Sequence, residues 1–318
     1  MTTLALPLIE PNKVSLGGHE KFVFRYGWLK KGADALAHNP AVFSAEDAIV
    51  ALGVGKNMVR SIRFWGLALG LFEEDTSNRK SLALRLSQLG QALLSDTGWD
   101  PYLEDLATLW LLHWQLATNP ARALVWHLAF CDFLEAEFTK PQMIAFVARA
   151  FDRLGVSTTP ASIERDVEVF LRTYVPATRK PSEAPAEETM DCPLVELRLL
   201  DYAPEDGVYR FNSGAKISLP TPVFGYALLV FLSQVAAHRR AVAFDECLYR
   251  RGSPGQVFRL DETSVAEHVE ALEALTQGAL SVRESAGVRQ VYLQALDEAA
   301  FRALAFNLLE RYYAGDER

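Results

Sequence analysis

One stretch constrains the fold more than any other: Ala48-Ile-Val-Ala-Leu-Gly-Val-Gly-Lys-Asn-Met-Val-Arg-Ser-Ile-Arg-Phe-Trp65. Ala48 to Leu52 closes a short helix, and Gly53 supplies a residue able to take positive φ at a sharp turn. Val54 is placed to plug the angle between two helices. From Lys56 a second helix starts, with Met58, Val59, Ile62 and Trp65 three and four residues apart on one stripe. The other face carries Lys56, Asn57, Arg60, Ser61 and Arg63. Such side chains hydrogen-bond base edges and phosphate oxygens in a major groove, so the segment reads as a DNA-binding helix-turn-helix. The bland alternative is a helical corner with a solvated basic face.

Charge supports a local surface. The chain has 318 residues and a net charge of -8, which argues against wholesale coating by nucleic acid. Between Lys13 and Trp65, however, eight cations face four carboxylates, a local balance of +4. The length suits two or three domains, and 50% hydrophobic and 23% charged residues fit a globular protein. Cys131, Cys192 and Cys247 are far apart and odd in number, which speaks against a disulfide framework and for a reducing cytoplasm. No secretory leader is expected. The most apolar run, Leu106 to Leu116, is too short to span a bilayer and contains His113, so it reads as a core helix and no membrane partner is expected.

Helices are expected over Glu20–Ala37, after a Ser44/Asp47 capping box, from Asp100-Pro101 to Leu116, over Ala121–Glu137, and after caps at Thr139 and Thr158-Thr159. Pro176 to Asp191 carries Pro176, Pro181 and Pro185 among mixed charges and reads as a linker. The expected organisation is a helical DNA-binding domain over 1–175, a linker over 176–191 and a winged-helix-like domain over 192–318. In the last, residues 195–200 and 208–211 suggest a hairpin. Helix 222–240, helix 261–276, strands at 280–284 and 288–293 about Ser285-Ala-Gly287, and a closing helix 297–313 follow the order of a winged helix. The fold class is therefore mainly α, with helix-turn-helix and winged-helix-like domains and a few short β-hairpins.

Two clusters bear chemistry. His19-Glu20 with Arg25 and Lys30-Lys31 among aromatic residues offers a phosphodiester site: His19 as general base, Arg25 on the developing charge. The bland reading is a solvated helix start. Asp100, Glu104 and Asp105, with His113 and His127 downstream, resemble metal ligands, but helix capping explains the acids better. Gly53-Val-Gly-Lys56 lacks phosphate-loop spacing. Arg250-Arg251 in the Gly/Pro loop 249–256 offers either a phosphate clamp or an exposed turn. No G-x-S-x-G and no zinc spacing occurs.

Three motifs carry a resemblance that covers nearly the whole chain: His19-Glu-Lys-Phe-Val-Phe-Arg-Tyr-Gly-Trp-Leu-Lys-Lys-Gly32, Leu52 to Trp65, and Asp100-Pro-Tyr-Leu-Glu-Asp105 with Thr108-Leu-Trp-Leu-Leu-His-Trp114. Gly252 to Leu260 fits the same pattern. The chain resembles the SspB-like family of bacterial proteins, long filed as a domain of unknown function. Members accompany a cysteine desulfurase, a PAPS-reductase-type sulfurtransferase and an ATPase in a DNA phosphorothioation system for phage defence, and are described as DNA-nicking components. The resemblance implies DNA nicking without identifying the nicking residues. On this reading double-stranded DNA and the sulfur-transfer proteins are partners, Mg²⁺ or Mn²⁺ assists, and the helix from Lys56 reads DNA, with Arg60 and Arg63 on phosphate or guanine and Asn57 suited to adenine. Two alternatives stay open: a non-enzymatic DNA-binding regulator, for which a homodimer would be natural, and an assembly adaptor for the sulfur-transfer proteins.

Overall fold

The computed structural model describes residues 14, 16–75, 83–176, 192–236, 239–285, 287–294 and 297–316. They form a mainly α protein with three small antiparallel sheets among the described residues. By contacts they divide into two compact units. One holds the described residues up to Leu128 together with Glu135–Phe211; the other holds Ala129–Leu134 and the residues from Asn212 onward. Residues 192–211 thus group with the first unit. Of the expected linker, residues 177–191 lie outside the described residues.

In the first unit, α1 (Tyr26–His38), α2 (Ala48–Leu52) and α3 (Lys56–Ala68) are followed by strands β1 (Phe72–Glu74) and β2 (Leu84–Leu86) and by α4 (Gln88–Leu94). Gly53 closes α2 in the left-handed region, at φ +60°. Ala48, Leu52 and Val59 are buried together, and Val54 packs against them as its position in the turn implies. Gly66 lets β1 approach α3: a Cβ there would sit 2.0 Å from the Phe72 ring.

The core of this unit is α5 (Leu106–Ala117), apolar on every side and buried along nearly its whole length. Its own Trp110 is fully buried, as are Trp65 and Trp126, which meet edge to face, each ring contributing about 2–3 kcal/mol. His113 Nδ1 lies 2.8 Å from the Tyr174 hydroxyl, and His127 Nδ1 lies 2.8 Å from the Ala117 carbonyl. Both are core histidines with their polar needs met locally.

Several expected boundaries move. Ser44 caps no helix; it lies in a 3-10 turn over Val42–Ser44 and its hydroxyl donates to the Ala41 carbonyl at 2.9 Å. Helix α5 starts at Leu106 rather than after Asp100, because Leu103 takes φ +60° and breaks the turn. The Asp100 carboxylate instead accepts the Glu104 and Asp105 amides at 2.8 and 3.0 Å. Helix α6 (Leu124–Cys131) ends early, and β3 (Glu137–Thr139) follows. The capping box at Thr139–Gln142 starts α7 (Lys140–Leu154), and Thr159 caps α8 (Pro160–Tyr174). The hairpin near 200 is β4 (Leu200–Ala203) with β5 (Val208–Phe211); residues 193–197 form a 3-10 helix instead. Strand β3 pairs with β5 in register Phe138↔Tyr209.

The second unit contains α9 (Thr221–Val235), β6 (Ala241–Ala243), α10 (Phe244–Tyr249), α11 (Pro254–Val257), α12 (Glu262–Leu275), β7 (Leu280–Ser285), β8 (Val288–Leu293) and α13 (Glu298–Ala314). Its sheet has the order β6-β8-β7. Asp261 and Asp297 cap α12 and α13 by accepting the Ser264 and Ala300 amides at 2.8 Å. No helix among the described residues is long and apolar enough to cross a membrane.

Candidate nucleic-acid interface

The segment before α1 is a strained loop. The expected helix from Glu20 begins only at Tyr26, because Glu20 and Lys21 adopt φ +50° and +71°. Left-handed backbone costs a non-glycine residue roughly 1–2 kcal/mol. His19 holds this loop. Its Nδ1 accepts the Lys21 amide at 3.1 Å, so the ring proton lies on Nε2, which is 3.0 Å from Asp166 Oδ1 of α8. Asp166 also accepts the Gly17 amide at 3.0 Å. The ring is fully buried, edge-on to Phe64 and Trp126. His19 thus bridges the loop and α8: Nδ1 accepts from Lys21, Nε2 lies at ion-pair distance from Asp166 but outside hydrogen-bond geometry, and the ring is fully buried.

The loop meets α3 at the surface. Arg60 Nη1 lies 3.2 Å from Glu20 Oε1, and the Arg60 side chain remains 54% exposed. Arg172 of α8 donates to the Lys21 carbonyl at 3.4 Å. Arg25 stacks over the Trp28 ring at 5.1 Å. One turn earlier on α3, Lys56 and Asn57 are exposed. The fold therefore brings Arg60 to Glu20 and Arg172 to Lys21, and presents Lys56 and Asn57 on the same helix as Arg60.

Other expected contacts are placed differently. Ser61 is fully buried and its hydroxyl makes no hydrogen bond. Arg63 is half-buried; burial first, then the neighbouring Arg122, lowers its pKa, opposed by Glu74. Lys30 is buried and paired with Asp34 and, at 2.8 Å, with Asp96. These bonds raise its pKa against the cost of burial. Lys31 is exposed, and its ammonium caps α2 at the Leu52 carbonyl, 3.1 Å away.

Arg250 and Arg251 belong to the other unit. Arg250 pairs with Glu246, and Arg251 holds Asp132 through two nitrogens, at 2.5 and 2.6 Å. Nearby Arg259 is largely desolvated, its pKa lowered to about 10, and it donates to the Ala129 carbonyl at 2.7 Å. Burial pushes the Cys131 and Cys247 thiols up to about 12, which makes them poor nucleophiles.

Three features of this surface were beyond sequence reasoning: the strained turn, the partner Asp166, and Arg172. None has a local signal, since Asp166 and Arg172 reach the loop from about 150 residues away. Among the described residues no group of three or more His, Cys, Asp or Glu side chains is placed to hold a metal ion. The Asp100 carboxylate in particular is taken up by the Glu104 and Asp105 amides of the turn before α5, whereas Glu104 itself is exposed.

No curated protein matches the chain. Two solved structures do, a crystal structure of SspB and one of magnesium ion-bound SspB. Each is 32% identical, covers 94% of this chain and 88% of its own, and superposes with a TM-score of 0.83. The family model described as a protein of unknown function, DUF4007, matches residues 16–313. The chain belongs to the DUF4007 family, to which its opening motifs pointed.

Proposed function

We propose that this protein is the DNA-binding, DNA-nicking component of a phosphorothioation system, acting with the cysteine desulfurase, sulfurtransferase and ATPase of that system. The similarity to SspB supports the system. The observation that carries DNA contact is the exposed face of α3, with Lys56, Asn57 and Arg60 beside the strained loop at Glu20 and Lys21. Gly53 between α2 and α3 supports the helix-turn-helix reading. Strain in an exposed turn beside cations is a recurrent feature of functional loops.

In this reading Arg60 exchanges Glu20 for a phosphate oxygen, Lys56 and Arg172 add phosphate contacts, and Asn57 faces a base edge. Glu20, released by Arg60, is then a carboxylate beside that phosphate. His19 positions the loop rather than taking a proton. No step of this reading is routed through a metal.

In this reading the second unit is winged-helix-like, with α12 as its groove-reading helix; the order α9, β6, α10, α12, β7, β8 and the sheet order β6-β8-β7 support it. Its exposed face carries Glu262, Glu267, Glu270 and Glu273 and no lysine or arginine. Phosphate would be repelled there. This favours the adaptor reading for that unit alone, with DNA contact left to α3.

A supercoiled-plasmid assay tests the whole. Conversion to open circles by the wild type, with or without the sulfur-transfer proteins, and its loss in Glu20→Gln, supports nicking. Intact plasmid under both conditions, with DNA still bound, would leave a DNA-binding protein without nuclease activity.

A further inference from the structure

Beside the α2–α3 turn lies a groove that the proposed DNA contact does not use. Its volume is about 680 Å³, within the roughly 300–1,000 Å³ of small-molecule pockets. It is lined by α1, by α2 and by the turn before α5, through residues including Lys31, Asp34, His38, Asp47, Ala51 and Tyr102. Three properties narrow its ligand. First, Tyr102 is 61% exposed at its rim, an aromatic face with nothing packed over most of it. Second, cations and carboxylates balance along the lining, so the interior suits a polar but uncharged group. Third, Asp47 occupies the N-cap position of α2 without making the capping hydrogen bond, which leaves its carboxylate available as an acceptor.

We infer that this groove holds a single unpaired DNA base, stacked on Tyr102, with Asp34 and Asp47 accepting from its exocyclic amino group. Stacking on an aromatic side chain and hydrogen bonds to the polar edge are how extruded bases are held. A carboxylate acceptor selects cytosine or adenine over thymine. The groove is also placed for it. Lys31 lines the groove while its ammonium caps α2 at Leu52, so the pocket abuts the turn that leads into α3. A strand tracked by Lys56 and Arg60 can deliver a base into it. The inference rests on the DNA-binding reading above and adds a site to it.

The test uses the full chain and a short single strand bearing one 5-iododeoxycytidine, read by fluorescence anisotropy and by mapping the photocrosslink. The crosslink is expected at Tyr102. Tyr102→Ala should weaken single-strand binding about 5- to 100-fold and remove the crosslink, whereas Tyr102→Phe keeps both. Asp47→Ala should abolish a preference for cytosine over thymine; since Asp47 makes no cap bond, the helix should survive. Unchanged single-strand affinity in Tyr102→Ala, or a crosslink elsewhere while Arg60-dependent duplex binding persists, overturns the pocket alone. Failure of the wild type to bind either form of DNA overturns the pocket and the DNA-binding reading together.

Discussion

Replacing His19 by alanine separates a positioning role from a catalytic one. The imidazole is fully buried, and Asp166, with which it pairs, is 4% exposed. Without the ring, the Asp166 carboxylate keeps the Gly17 amide at 3.0 Å, and the Lys21 amide loses its acceptor. Stripping one partner from a buried pair costs about 3–5 kcal/mol, a large part of the roughly 5–15 kcal/mol that holds a domain folded. Asp166→Asn should cost less, about 1–2 kcal/mol, because an amide oxygen keeps the Gly17 amide and a dipole facing Nε2 at the same place, and only the charge is lost. The order matters. Were the ring doubly protonated, Asp166→Asn would strand a buried cation and cost as much as His19→Ala. All six tryptophans lie in the unit that contains His19, so intrinsic fluorescence in a urea titration reads that unit by itself. The expected result is a much lower midpoint for His19→Ala and a small decrease for Asp166→Asn. Wild-type stability in His19→Ala, with nicking abolished, would refute the bridge and restore His19 as a base.

Other outcomes follow from the second unit. His268 is stacked on Phe224 with ring centroids 4.7 Å apart, lies 2.9 Å from the Thr221 hydroxyl, and has its pKa lowered to about 4 by burial. Between about pH 6.5 and 4 the unfolded chain binds a proton there that the folded chain does not, so stability falls as pH falls through that window, by up to about 3 kcal/mol. Thermal melts across the window should show the decline, and His268→Leu should flatten it; an unchanged slope would remove His268 as its source. Reversing the charge of α12 by Glu267→Lys, Glu270→Lys and Glu273→Lys should raise non-specific DNA affinity, whereas glutamine at the same positions should not lower it. A loss of DNA binding in the glutamine variant would place α12 in the interface after all.

Local signals were legible in the sequence and distant pairings were not. Thr139 with Gln142, Thr159, Asp261 and Asp297 start helices where read, because a cap uses atoms within three residues of itself. The apolar run of α5 identified the core helix, and Gly53 the turn between α2 and α3. Ser44 had the composition of a cap, yet its hydroxyl closes a turn backwards to Ala41, a competition between caps and turns open to any serine. Lys30 and Ser61 read as solvated polar residues. Both are buried by packing, and the Asp96 partner of Lys30 lies 66 positions away. The pairing of β3 with β5 likewise joins segments about 70 residues apart, whereas the hairpin of β4 and β5 needed only its turn. For the candidate interface, the basic face of α3 was visible, but the contact between Arg60 and Glu20 depends on a left-handed turn that no residue type there announces.

The central claim is that α3 presents its exposed cations to DNA phosphates. It is tested most directly by the salt dependence of duplex binding for the wild type and Arg60→Ala. Arg60 is exposed and its ion pair with Glu20 contributes about 0–1 kcal/mol, so the variant should fold normally. Loss of one phosphate contact should reduce the slope of log affinity against log salt by about 1 and weaken binding about tenfold at low salt. An identical slope and affinity in a folded Arg60→Ala protein would contradict the claim and remove α3 from the interface.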